Sequence, residues 1–287
     1  MFPELFSTRE LRKTIDGSVD WLVTEYADSF EALTQPFLTL LIWLEQLLRG
    51  APWWSVILVI AGLSFAASRN WLMSAGMATL LFFIGALGLW DQGMQTLALM
   101  LVATGLSVTI GIPIGILMAS YDRFRKVMLP LLDVMQTMPS FVYLIPVVML
   151  FGLGKVPAIF ATIIYAVPPL IRLTDLGIRL VDPDVLEASR AFGANRRQQM
   201  LGVQLPLALP NIMAGINQTT MMALAMVVVA SMIGARGLGQ EVLIGINRLE
   251  VGRGLLAGLA IVALAILFDR VTQSLGQRLS AGQKDAS

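Results

Sequence analysis

One stretch of this chain gathers the residue types able to do chemistry. EASRAFGANRRQQMLGVQLP, from Glu187 to Pro206, brings Glu187, Arg190, Arg196 and Arg197 together with Gln198, Gln199 and Gln204 between long apolar runs. The chemistry on offer is recognition rather than catalysis. His and Cys are both absent from the 287 residues. That removes the commonest general base and metal ligand, and with it thiol nucleophiles, disulfides and thiolate metal sites. No G-x-x-x-x-G-K-[ST] run occurs, so the chain carries no P-loop of its own. No nucleophile–base pair or metal constellation remains to support an enzyme.

The scaffold under this polar segment is legible. Asp182-Pro183-Asp184 predicts a helix start: Asp182 caps free N–H groups, Pro183 suits the first helical position, and Asp184 favours the positive end of the dipole. Val185, Leu186, Ala188, Ala191 and Phe192 supply apolar surface among the charges. Gly193 suits the left-handed position that stops a helix. Asn195 then caps a second helix over Arg196–Gln204, which Leu205-Pro206 is expected to close. Composition alone leaves two readings open. One is a solvated cytoplasmic loop whose bases fix topology. The other is a docking element, because a ten-residue helix is marginal in water unless something packs on it.

The rest of the chain is built for lipid. Hydrophobic residues make up 56% and charged residues 14%, against about 25% charged in soluble domains. The predicted class is an all-α, polytopic membrane protein. A span needs about 20 mostly apolar residues. Seven stretches approach or meet that: Pro52–Ala67, Trp71–Trp90, Met94–Ser120, Thr137–Leu153, Pro157–Leu173, Leu207–Ile233 and Gly254–Thr272. Pro36–Leu48 is apolar but short and interrupted by Glu45, which reads as an interfacial amphipathic helix. With this topology twelve of the Arg and Lys fall on the side of the Glu187–Pro206 segment and eight on the other, three of those in an acidic N-terminal tail. The basic side is therefore expected in the cytosol, with the N-terminus outside and the C-terminus inside. Net charge near zero argues against a nucleic-acid partner. The expected organisation is a tail over 1–51, two peripheral spans over 52–90, a core over 91–275 holding the polar loop 182–206, and a cytoplasmic tail over 276–287.

Glu187-Ala188-Ser189, Gly193, and Val203-x-Leu205-Pro206 carry a resemblance. The spacing is similar to the E-A-A, three residues, G, nine residues, I-x-L-P motif of permease subunits of bacterial ABC importers, with Ser189 in place of the second Ala and Val203 in place of Ile. LLDVMQTMPSFVYLIPVVMLFGLGKVP, NQTTMMALAMVVVASMIGARGLGQEVL and LFDRVTQSLGQR resemble the permeases of glycine betaine/proline betaine/choline uptake systems, from about Pro52 to Arg278. The resemblance implies a MetI-like core, a homodimer, and two copies of an ATPase that binds ATP and Mg, so no cofactor belongs to this chain. It also implies an extracytoplasmic binding protein that holds most of the substrate choice. The segment Glu187, Ala188, Ser189, Phe192, Gly193, Arg196, Leu205 and Pro206 is implied to be a coupling loop seated in the ATPase.

Other candidates follow from the spans. Asn211, Asn217 and Gln218 are polar groups in an apolar run, costly unless they face protein or water. Asn211, Gln218 and Met222 share a helical face, and Met221, Met222 and Met226 offer an adaptable wall. These residues either bond between helices or line a path. Phe141, Tyr143 and Tyr165 are aromatic faces of the kind that attract a methylated ammonium, or else core and lipid-facing aromatics. Pro139 and Pro146 bracket the first two and predict a broken helix. Arg172 and Asp175, three apart, are expected to pair. On the outer side Arg236, Glu241, Arg248 and Arg253 are candidates for contact with the binding protein, if that segment is not simply a loop. A stand-alone secondary transporter or channel for small amphipathic cations is the competing class. It would need coupling acids in the spans, and almost none are present.

Overall fold

The computed structural model describes residues 8–284, so Glu4 and residues 285–287 of the two tails lie outside the described residues. Every regular element among the described residues is helical. In chain order they are α1 (Thr8–Glu25), α2 (Ala27–Gly50), α3 (Trp53–Ser68), α4 (Trp71–Ala86), α5 (Trp90–Ser120), α6 (Asp122–Thr137), α7 (Leu144–Phe151), α8 (Lys155–Arg179), α9 (Pro183–Ala191), α10 (Arg196–Gln199), α11 (Leu205–Ala230), α12 (Leu238–Asn247) and α13 (Val251–Lys284).

Among the described residues, four helical stretches are long and apolar enough to cross a bilayer: Trp90–Ser120, Lys155–Arg179, Arg196–Ile233 and Val251–Arg278. Two further pairs reach that length only across a 110° bend, α2 with α3, and α6 with Ser140–Phe151. Helix α4 has 16 residues, about 24 Å at 1.5 Å per residue. The stretch expected as one span over Thr137–Leu153 is therefore not a straight helix. The chain is extended at Met138 and Pro139, then resumes as a 3-10 turn over Ser140–Tyr143 and α7. Only Pro139 marks the break. Pro146 sits in the first turn of α7, where a missing N–H costs nothing. Pro36–Leu48 is also more than an isolated surface helix. It belongs to the 24-residue α2, which buries Leu41 and packs Phe37, Leu44 and Leu48 onto the main core.

Helices α5, α8 and α11 form the centre, with α13 against α11 and the α3–α4 pair against α13. Lipid tails are as apolar as leucine, so burial from water does not hold these helices together; close packing does. Glycine makes that possible at two crossings. A Cβ on Gly115 of α5 would lie 2.5 Å from Cβ of Thr174 on α8. A Cβ on Gly177 of α8 would lie 2.6 Å from Cβ of Asn211 on α11. Leu170, Ile178, Ala208 and Ile212 close the layer between α8 and α11. The three-helix centre thus fixes where α8 ends and α11 begins, and the polar loop hangs between those two ends.

Candidate functional site

The loop is built from the inside. Asp182 accepts the N–H of Asp184 on its side chain at 2.9 Å, and Pro183 opens α9. At the other end of α9 the N–H of Gly193 donates to Arg190 O at 2.8 Å and that of Ala194 to Ser189 O at 3.0 Å. Gly193 has φ +86. That pair of bonds around a left-handed glycine is a Schellman stop. Asn195 and Gln198 then exchange side-chain and backbone bonds, both 2.9 Å, in a capping box that starts α10.

The chain does not stop at Leu205-Pro206 as expected. Leu205 has helical angles (φ -62, ψ -46), and its N–H donates to Met200 O, five residues back. Met200–Gln204 is a π turn, and Pro206 falls in the first turn of α11. The wider turn carries the proline ring without the usual clash on the preceding turn. One helical rod therefore runs Arg196–Ile233, so the loop is rigidly continuous with a membrane-crossing helix.

Gln199 was legible only as part of a polar island, yet it is 5% exposed and holds the two arms together. Its Nε2 donates to Leu186 O at 2.8 Å and to Ser189 Oγ at 3.0 Å. Ser189, the departure from the second Ala of the motif, thus supplies an acceptor. The outer surface is the reverse. No residue of α9 is buried, Phe192 is 93% exposed and Val185 is exposed. Glu187, Ala188 and Arg196 are exposed as well.

Above the loop lies an ion cluster the sequence showed only in part. Asp175 is buried and accepts from Arg125 Nε at 2.8 Å and Arg179 Nε at 2.9 Å. Arg179 Nη2 also donates to Asp122 at 2.7 Å and to Met118 O at 2.9 Å. Arg172 pairs with Asp133, not with Asp175. The i,i+4 spacing of Asp175 and Arg179 was the available signal, since four residues bring side chains together as well as three do. The cluster ties the end of α8 to the end of α5 and the start of α6.

The path candidates separate. Asn211 is half-buried against Gly177. Asn217 donates to Asp269 at 2.9 Å and accepts from Thr272 at 2.6 Å, so it bonds α11 to α13. Gln218 is exposed and Met222 half-buried. Gln218 shares an unpaired face of α11 with Leu207, Ala214 and Ala225, all exposed. Tyr143 is buried, donates its hydroxyl to Met135 O and meets Tyr165 edge-on at 5.9 Å. Phe141 is 58% exposed. At the other end of α11, Arg253 binds Glu241 at 2.7 Å and Glu250 at 3.4 Å, while Arg236 and Arg248 are exposed.

The family of binding-protein-dependent transport system inner membrane components matches residues 111–281. The chain belongs to this family and is a multi-pass protein of the inner membrane. It is 51% identical over 265 residues to the glycine betaine/proline betaine transport system permease protein ProW of Escherichia coli (strain K12), covering 92% of this chain and 74% of that one. It is 43% identical over 269 residues to the glycine betaine transport system permease protein OpuAB of Bacillus subtilis (strain 168), covering 92% and 94%. The fold is shared with a chain of the MetNI methionine ABC transporter in an inward facing conformation, at a TM-score of 0.56 and 24% identity, over 68% of this chain and 95% of that one.

Proposed function

We propose that this chain is the membrane subunit of an ATP-driven importer of quaternary ammonium compounds, such as glycine betaine, proline betaine or choline. It works as a homodimer with two copies of a separate ATPase, which bind ATP and Mg, and with an extracytoplasmic binding protein. The carrying observation is the loop from Asp182 to Pro206. Its turns are completed from within, while Val185 and Phe192 of its outer face are exposed. The names of the relatives at 51% and 43% identity support the substrate class.

In this reading the loop faces the cytosol, the N-terminus lies outside, and seven crossings are made by counting α3, α4 and the broken stretch through α7. ATP closes the ATPase dimer, and the seated loops move with it. Because Arg196–Ile233 is one rod, displacement at α10 is delivered along α11. The exposed face of α11 with Gln218 then meets the second copy and borders the path. Phe141 offers an aromatic face to a cation that cannot donate a hydrogen bond; such contacts are worth about 0.5–2 kcal/mol, weak enough for release. Arg236, Glu241, Arg248 and Arg253 stand at the outer mouth, where the binding protein docks.

The test is uptake of labelled glycine betaine into proteoliposomes. Transport is expected only when the ATPase, internal or external ATP on the ATPase side, and the binding protein are all present. Uptake by this chain alone would sink the proposal and revive a stand-alone transporter.

A further inference from the structure

A second polar site lies away from the loop and the path. A cavity of about 480 Å³ opens between the α3–α4 junction and the end of α13. Arg69, Asn70, Arg270, Gln273 and Arg278 line it. Among the described residues, no carboxylate lies within ion-pair distance of any of the three arginines: Arg69, Arg270 and Arg278 form none of the ion pairs. The carboxylate next in sequence, Asp269, is committed elsewhere, accepting from Asn217 at 2.9 Å and from Gln273 at 2.6 Å. Three arginines lining one space outside any ion pair repel each other, and an anion relieves that. Arginine also matches phosphate with paired, planar donors.

The backbone adds to this. Arg69 has φ +51 at the end of α3, a position where glycine fits with less strain. Asn70 caps α4, accepting from Leu72 N at 3.0 Å, so the positive end of a 16-residue helix borders the same cavity. Arg278 donates to Ala66 O, and Ser274 Oγ meets Met73 Sδ at 3.3 Å, which hold α13 against α3 and α4.

The level in the bundle identifies the source of the phosphate. Helices α11 and α13 run in opposite directions: Asn217 meets Asp269 and Thr272, and Met213 meets Gly276. Gln273 to Arg278 therefore sit at the loop end of α11. Trp71 is 68% exposed beside the cavity, with Leu63, Phe65 and Leu72 also exposed. An exposed Trp beside a basic cluster, under apolar helix faces, is the arrangement of a bilayer interface.

We propose that this cavity binds the phosphate of an anionic phospholipid, with the acyl chains lying on the exposed faces of α3 and α4. Placing it in the cytoplasmic leaflet rests on the orientation given above; the binding itself does not. The test is native mass spectrometry of the full chain in detergent with phosphatidylglycerol, with phosphatidylethanolamine, and with inorganic phosphate alone. Phosphatidylglycerol is expected to stay bound through delipidation. Arg69→Gln/Arg270→Gln/Arg278→Gln should weaken it on the order of a hundredfold, at about fivefold for each base removed, leaving phosphatidylethanolamine unchanged. Each single substitution, and the triple lysine variant with an unchanged melting curve, separates lost charge from misfolding. Equal retention by wild type and the glutamine variants overturns the site. Displacement of lipid by inorganic phosphate at equal concentration overturns the lipid as the source. Orientation is read separately: Ser68→Cys, in a chain without other Cys, should resist an impermeant maleimide in intact cells.

Discussion

The three-helix centre and the Asp182–Pro206 loop are both tightly specified, but in opposite directions. In the centre, the close crossings and the buried carboxylate are explained by other residues of the same chain. Gly115 is explained by Thr174, Gly177 by Asn211, and Asp175 by Arg125 and Arg179. In the loop the backbone is accounted for by internal caps, while the outer surface has no partner. A rigid shape whose outer face is left exposed is a shape held for something else. Substitutions should therefore part into two kinds: those that cost the fold, and those that leave the fold and cost transport.

The largest expected effect lies in the centre. Asp175→Ala removes the bonds from both Arg125 and Arg179, and hydrogen bonds to a charged group are worth about 1.5–3 kcal/mol each. The expected outcome is a lower melting temperature of the purified chain and loss of the folded fraction at ordinary expression. A variant that melts like the wild type would show that the cluster is not what anchors α8 to α5 and α6. Next comes Gly115→Val. Its first added carbon already falls 2.5 Å from Thr174, and overpacking of this kind typically costs about 1–3 kcal/mol. Thermal unfolding checks it, and Gly115→Ala, which places only that first carbon, should lose less than Gly115→Val.

How much of this the residues announced depends on the range of the interaction. Asp182, Gly193 and Asn195 act on backbone within a few positions, so their roles were legible from spacing alone. Pro206 was misjudged because proline normally ends a helix, and the π turn that absorbs it leaves no mark in composition. Arg179 lies within helical reach of Asp175, but Arg125, its other partner, and Asp133, the partner of Arg172, come from α6, 50 and 39 positions away, beyond any periodic pattern. The break at Pro139 was legible, but its 110° bend depends on how α6 and α7 pack. Gln199 looked like one of several surface amides, and only the folding back of α10 onto α9 buries it.

Gln199→Leu comes next, and its effect should fall on the loop rather than on the bundle. It removes the bonds to Leu186 O and Ser189 Oγ, each worth about 0.5–1.5 kcal/mol, while the caps on both sides remain. Hydrogen exchange is the sensitive measurement: amides of residues 184–191 should exchange faster while those of α8 and α11 hold. Uniform protection would mean that the caps alone fix the loop, and the contrast drawn with the centre would sharpen further.

Phe192→Ala is the smallest expected change in stability and the most informative. Phe192 is 93% exposed and touches no core cluster, so truncation should move the melting curve by no more than about 0.5 kcal/mol. Transport should respond quite differently. An aromatic anchor in a partner's pocket typically costs about 2 kcal/mol or more when removed, roughly thirtyfold in binding. The assembled complex of Phe192→Ala should therefore hold its ATPase less tightly and take up less betaine per ATP hydrolysed. If uptake and ATPase retention both stay at wild-type levels, the exposed face of the loop is solvated surface. If both fall while the chain melts normally, the loop's shape belongs to the partner that fills it.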